Sequence, residues 1–275
     1  MTERDALISA VRANPDDRTA RLVFADWLDE RDDPLGGYVR AEAEVLAHEP
    51  GSVEWCTALL RLRDQPPNGG WEYATDLTRI AQKTDQLREL DTARRVFGAQ
   101  RADAGHRYRL NAPPAEAAVI DFELRHGFTL PGEYRAFLLR LGNGRVGDNY
   151  ELHHLDCSAH RPELSAPFGP TVAEADAIVA AERVARETRD WKLVPNPPHA
   201  WFGRGYLPLS YAGHGAHTSL VLNGPMRGEL WDVGERFVPI REGQRAGGFL
   251  AWYEAGFDEC LAPGAFDRWK KPTGK

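Results

Sequence analysis

The fold is decided by the stretch Tyr206-Leu207-Pro208-Leu209-Ser210-Tyr211, Gly213-His214-Gly215, His217-Thr218-Ser219-Leu220-Val221-Leu222-Asn223-Gly224 and Gly228-Glu229-Leu230-Trp231-Asp232-Val233. Each apolar run has strand length and ends on glycine or asparagine-glycine, the residues that let a tight turn reverse the chain. Four strands are predicted, over residues 206–211, 217–223, 228–233 and 236–240. Their short turns permit only antiparallel pairing between neighbours. Beyond them, Leu250, Tyr253, Phe257 and Leu261 share one side of a predicted closing helix over residues 249–261. Before them a helix is predicted from Thr171 to about Thr188. Helices and a meander that segregate in this way make the class α+β, with a mostly antiparallel sheet packed by helices.

Further upstream, Pro113-Pro114 opens a predicted helix through Arg125, and Pro131 opens another that carries Tyr134, Phe137, Leu138 and Leu141 until Gly142 ends it. Tyr108 with Leu110, and Tyr150 with Leu152 and His154, alternate as short strands do. A domain is therefore expected over residues 106–262, followed by a basic tail at 263–275. At the other end, Thr2 caps a helix over residues 3–13 with Ala6, Leu7, Ala10 and Val11 on one face. A second helix starts near Asp17 and stops where Asp32-Asp33-Pro34 and Gly36-Gly37 break the pattern; a third runs from Tyr38 to about Leu46. These make a small all-α unit over residues 1–49. Residues 50–105 read as a helical connector, with a cap at Ser52, a breaker at Pro66-Pro67-Asn68-Gly69-Gly70, and a long amphipathic helix through Leu77, Ile80, Thr84 and Leu87 toward Phe97.

The composition suits a soluble globular chain. It has 275 residues, 42% hydrophobic and 27% charged, which is room for two modest domains. Its mean hydropathy is -0.50. No apolar run is long enough to predict a membrane span. Glu3 and Asp5 stand where a secretory leader would be basic, so export is not expected. Three widely spaced cysteines, Cys56, Cys157 and Cys260, predict a reduced cytoplasm. The net charge of -7 argues against unspecific attachment to nucleic acid or anionic lipid and permits attraction to a basic partner.

Candidate chemistry is sparse. Gly142-Asn143-Gly144-Arg145-Val146-Gly147 matches a dinucleotide-binding pattern, but it follows a helix and precedes a strand, the reverse of the order that aims a helix N-terminus at phosphate. His153, His154, Cys157 and His160 could hold zinc. Adjacent strand residues face opposite ways, however, so one of His153 and His154 at most joins Cys157 and His160, and solvated histidines at a strand edge are the expected reading. His214 and His217 could carry protons, yet no nucleophile motif accompanies them. Asp26, Asp29, Glu30, Asp32 and Asp33 lack the order of a calcium loop and predict a solvated helix face. Trp27, Trp201, Trp231 and Trp252 are expected in cores. No catalytic set, cofactor or metal is predicted.

Two segments resemble known families. Phe122-Glu123-Leu124-Arg125-His126-Gly127-Phe128-Thr129-Leu130-Pro131-Gly132-Glu133-Tyr134, with Gly142-Asn143-Gly144, Tyr206-Leu207-Pro208-Leu209, Gly213-His214-Gly215, Ser219-Leu220-Val221-Leu222-Asn223-Gly224 and Gly228-Glu229-Leu230-Trp231, resembles the SUKH superfamily of bacterial immunity proteins and yeast cell-wall-assembly regulators. Gly147-Asp148-Asn149-Tyr150 departs from it, since bacterial relatives often carry Gly-Pro before the tyrosine. Leu22-Val23-Phe24-Ala25-Asp26-Trp27-Leu28-Asp29-Glu30-Arg31 is similar to the repeat-companion domain of large-genome bacteria. The resemblance implies a non-catalytic, cytoplasmic immunity protein that binds and neutralises a toxin domain, often a nuclease. The alternative is a regulatory or scaffolding module with endogenous partners. Turns on a rigid sheet commonly carry contacts, so Asp148, Asn149, Glu151, Asp232 and Glu235 are the expected partner-binding residues.

Overall fold

The computed structural model describes residues 1–91, 108–146, 151–157, 163–240 and 247–265. Among these are nine α-helices: α1 (Glu3–Ala13), α2 (Arg18–Asp29), α3 (Leu35–Val45), α4 (Val53–Arg63), α5 (Ala74–Leu90), α6 (Glu116–His126), α7 (Gly132–Arg140), α8 (Val172–Thr188) and α9 (Phe249–Leu261). The four strands are β1 (Tyr206–Gly213), β2 (Ala216–Val221), β3 (Leu230–Val233) and β4 (Phe237–Pro239), and the class is α+β. None of the described helices is long and apolar enough to cross a membrane. The chain divides into two compact units, residues 1–74 with 114–140, and residues 75–113 with 141–275. These units cut across the segments read from sequence: α6 and α7 belong with the N-terminal helices, and α5 belongs with the sheet.

Unit 1 is all-helical, and its helix starts are written in single side chains. Thr2 accepts the Asp5 N–H at 3.2 Å while the Asp5 carboxylate takes the Thr2 N–H at 2.8 Å, a reciprocal cap on α1. Asp17 caps α2 through the Thr19 N–H at 2.8 Å, and Ser52 caps α4 through that of Trp55 at 3.1 Å. Helix α3 corrects the sequence reading, because Gly36 and Gly37 lie inside its first turn instead of breaking the chain. A Cβ on Gly36 would stand 2.2 Å from Asp29 Oδ1 and 3.4 Å from the Ala25 carbonyl oxygen. Glycine there lets α3 approach α2 closely, which offsets its cost of about 1 kcal/mol in a helix. Val11, Phe24, Leu28, Tyr38, Val39, Trp55, Leu59 and Ile120 form the core.

Unit 2 is built on the sheet, in the order β1-β2-β3-β4 with every pair antiparallel. Helix α8 flanks the β4 edge, where Val238 packs against the cluster of Ile178, Ala185 and Val194. One face carries Trp231, Val233 and Phe237 against Phe168 and Ala175. Two predicted strands are corrected. Tyr108 has φ 55° and lies outside any strand. Its hydroxyl donates to Asp91 Oδ2 at 2.5 Å and its carbonyl accepts from Arg88 Nη2 at 2.7 Å, so its polar groups find partners without a strand ladder. In the other, Leu152 makes an isolated bridge to Ser210, and Tyr150 lies outside the described residues.

Candidate functional site

A cleft of about 560 Å³ opens in unit 2 between the segment after α8 and the β3–β4 turn. Its first wall begins where α8 ends: Arg189 takes the left-handed conformation, with φ 58° and ψ 23°, and turns the chain out of the helix. Asp190 then accepts the Lys192 N–H at 3.1 Å and starts a single 3-10 turn over Trp191–Leu193. Val194 is buried against α8 and anchors this turn, so Trp191 and Leu193 are left 41% and 45% exposed. Downstream, Pro195, Pro197 and Pro198 stiffen the chain. A second 3-10 turn then sets Trp201 on Phe237 at 5.7 Å and on Gly169, where a Cβ would fall 2.4 Å from the indole Cγ.

The opposite wall is the turn Gly234-Glu235-Arg236, closed by the Gly234 N–H on the Arg236 carbonyl at 2.9 Å. A Cβ on Gly234 would lie 2.7 Å from the Ala216 Cα, so this turn lies directly against the neighbouring strand. The Arg236 guanidinium stacks over the Trp191 ring at 4.6 Å and joins the two walls. Arg189, Lys192 and Asn196 also line the space. The result is a fixed aromatic ring bordered by cations and open to solvent.

Of the residues expected to bind a partner, Glu235 lines this cleft and is exposed. Asp232 is exposed on β3, with Thr218 Oγ1 at 3.4 Å from its carboxylate. Glu151 is exposed beside Leu152, whose bridge is to β1, the edge of the sheet away from β4. Asp148 and Asn149 lie outside the described residues. Sequence reasoning passed over Trp191 and Arg236. The available signal was the run Arg189-Asp190-Trp191-Lys192 ahead of Pro195, Pro197 and Pro198: an aromatic between cations, at a helix end, in chain too proline-rich to be strand or helix.

The histidines play other parts. The His153 and His217 rings lie 6.0 Å apart, with Tyr211 at 5.4 Å from His217, and burial lowers both imidazole pKa values and favours their neutral forms. His214 is exposed in the β1–β2 turn at φ 50°. Of the zinc candidates, His153, His154 and Cys157 are described and His160 is not; among the described residues no group of three histidine, cysteine or acidic side chains is arranged to hold a metal ion. The glycine-rich loop serves the chain itself. A Cβ on Gly142 would meet the Asn111 carbonyl oxygen at 2.4 Å, and one on Gly144, at φ 79°, that of Leu152 at 2.5 Å. Asn143 Oδ1 accepts the Leu155 N–H at 2.7 Å, and the Tyr253 hydroxyl donates to the Val146 carbonyl at 2.9 Å. The glycines allow close backbone approach within unit 2. Trp231 and Trp252 are buried as expected, while Trp27 and Trp201 are partly covered.

Unit 1 carries a different concentration of charge, buried between helices. Arg21 lies 3.3 Å from Glu72 and 3.9 Å from Glu42, and the Trp71 indole N–H donates to Glu42 at 2.8 Å. Nearby, Arg135 bridges Glu116 at 3.1 Å and Glu123 at 3.2 Å. The Glu123 carboxylate, with no solvent exposure, also accepts the Leu130 N–H at 2.9 Å. Burial, with the charge of Glu72 adding to it, pushes Glu42 up to about 7, and burial raises Glu72 as well. This network joins α2, α3, α6, α7 and the Trp71–Tyr73 turn.

Comparison with protein-family models, curated proteins and solved structures finds no match to the chain.

Proposed function

We propose that the chain is a non-catalytic binding protein of the immunity type, which neutralises a toxin domain by docking on unit 2. The reading joins the sequence resemblance to one structural observation: Trp191, 41% exposed, is held under Arg236 on a turn anchored by Val194. An open tryptophan costs solvation in the free protein and returns it on binding. Covering the remaining area, roughly 100 Å², is worth about 2.5 kcal/mol at the usual area coefficient. Tryptophan and arginine are also the side chains that most often dominate binding energy in protein interfaces. Fixing the ring before the partner arrives lowers the ordering cost of association. Occlusion of the toxin is the whole activity in this reading, and a cytoplasmic location follows from it.

Affinity purification from the native host, followed by co-expression of the recovered toxin with this chain, tests the reading. Rescue of growth by the chain is expected. Trp191→Ala should weaken the complex by about 30- to 100-fold, corresponding to roughly 2–3 kcal/mol. Recovery of ordinary regulators without a toxin would overturn the immunity assignment in favour of a regulatory module.

A further inference from the structure

We infer that the cleft between Trp191 and Arg236 takes an acidic segment of the partner protein, with its carboxylates on Arg189, Lys192 and Arg236 and one apolar side chain on the open face of the indole. This rests on the docking reading above and names the chemistry of its contact. Three cations line the cleft, and among the described residues none of them makes an ion pair. Of the two carboxylates present, Asp190 is turned to the backbone, where it accepts the Lys192 N–H. Asp190 and Glu235 together set two negative charges against three positive ones, so the cleft keeps a net positive charge.

The geometry suits carboxylates in particular. Arg236 sets its guanidinium over the Trp191 ring, and the N–H edge of that group is a planar fork that matches a carboxylate. Arg189 is held at φ 58°, where a residue with a Cβ is uncommon, so its side chain departs from a fixed backbone. The volume, about 560 Å³, lies within the range of roughly 300–1,000 Å³ that binding clefts use and exceeds what one side chain fills. The chain as a whole carries -7, so the cleft is a local reversal of sign. A basic partner that presents a short acidic stretch would be attracted at long range by the chain and held at short range by the cleft.

The test uses the full chain and three fluorescent hexapeptides in which phenylalanine alternates with glutamate, glutamine or lysine. In fluorescence anisotropy at low salt, the glutamate peptide should bind at least tenfold more tightly than the other two. Raising the salt should erase that margin. Lys192→Ala and Arg236→Ala should each reduce binding of the glutamate peptide about fivefold or more, with unchanged circular dichroism. Preference for the lysine peptide, equal binding of all three, or no binding of any would overturn the inference. Toxin rescue separates this from the docking reading. If Trp191→Ala abolishes rescue while the double variant Arg189→Glu, Lys192→Glu preserves it, the acidic segment is refuted and the docking site stands. If Trp191→Ala and Trp191→Phe both preserve rescue, the docking site itself is refuted.

Discussion

In unit 1 the guanidinium of Arg21 lies between two buried carboxylates, Glu42 and Glu72, whereas in unit 2 the carboxylate of Glu254 is shared by two cations, Arg79 and Lys83, which also pair with Asp76 and Asp258 respectively. The first arrangement has an excess of negative charge in a place water does not reach, since the three side chains are 5–12% exposed. The second lies at a boundary, with Arg79 46% exposed, its Nη2 at 2.6 Å from Glu254, and Lys83 at 2.7 Å. Glu42 is consequently pushed up to about 7 by burial and by Glu72, while Glu254 is lowered by its hydrogen bonds from Arg79 and Lys83 despite burial. The same residue type, paired with the same kind of cation, responds to pH in opposite senses, and the depth of burial decides which.

The largest expected difference between the two clusters comes from removing an arginine. Arg21→Met leaves two carboxylates buried without their cation and should cost unit 1 about 3–5 kcal/mol, read as loss of hydrogen-exchange protection in α2 and α3. An effect under about 1 kcal/mol would break the comparison. Next is the titration of the wild-type chain. A folded pKa above the unfolded one means that the stabilisation is complete below about 4.5 and lost as pH rises through about 7. Protection of α2 and α3 should therefore fall by a few kcal/mol between pH 5.5 and 8, and Glu42→Gln should flatten that slope because Gln stays neutral while still accepting from Trp71. The carboxylate of Glu42 faces the charge of Arg135 as well as that of Arg21.

For unit 2 the sign reverses. Glu254 contributes above its unfolded pKa, and its contribution disappears as pH falls through the lowered folded value. Glu254→Gln should cost about 1–2 kcal/mol at pH 7 and almost nothing near pH 3, measured by exchange in α9. The smallest effect belongs to Arg79→Met, about 1 kcal/mol or less, because Arg79 is half exposed and Lys83 still faces Glu254. A loss in unit 2 as large as that of Arg21→Met in unit 1 would show that exposure does not separate the two clusters.

Sequence made the elements legible where local chemistry sets them. Thr2, Asp17 and Ser52 announce three helix starts, and the glycine-bounded runs announce all four strands. It misled at Gly36, where turn chemistry and close packing of two helices use the same residue, and at Tyr108, where three alternating residues found no neighbouring strand. The buried network was invisible for another reason. Arg21 stands at the helical spacing of Phe24, Ala25 and Leu28, but a charged side chain there gives no sign of a buried partner, and its partners lie far along the chain, Arg21 and Glu72 being 51 residues apart. The candidate site was read in part. Glu235 was found because turns on sheets carry contacts, whereas Trp191 was missed because its exposure depends on Val194 reaching α8, a tertiary contact that no pattern of alternation contains.

Unit 1 takes its last two helices from residues beyond 113, after the chain has already contributed α5 to the other unit. During biosynthesis the first four helices therefore emerge with Trp55 and Leu59 waiting for Ile120. At ordinary elongation rates that interval lasts several seconds, long compared with the folding of a small helical bundle. A ribosome stalled between the two contributions would therefore hold a chain in which Trp55 and Leu59 lack the helix that carries Ile120.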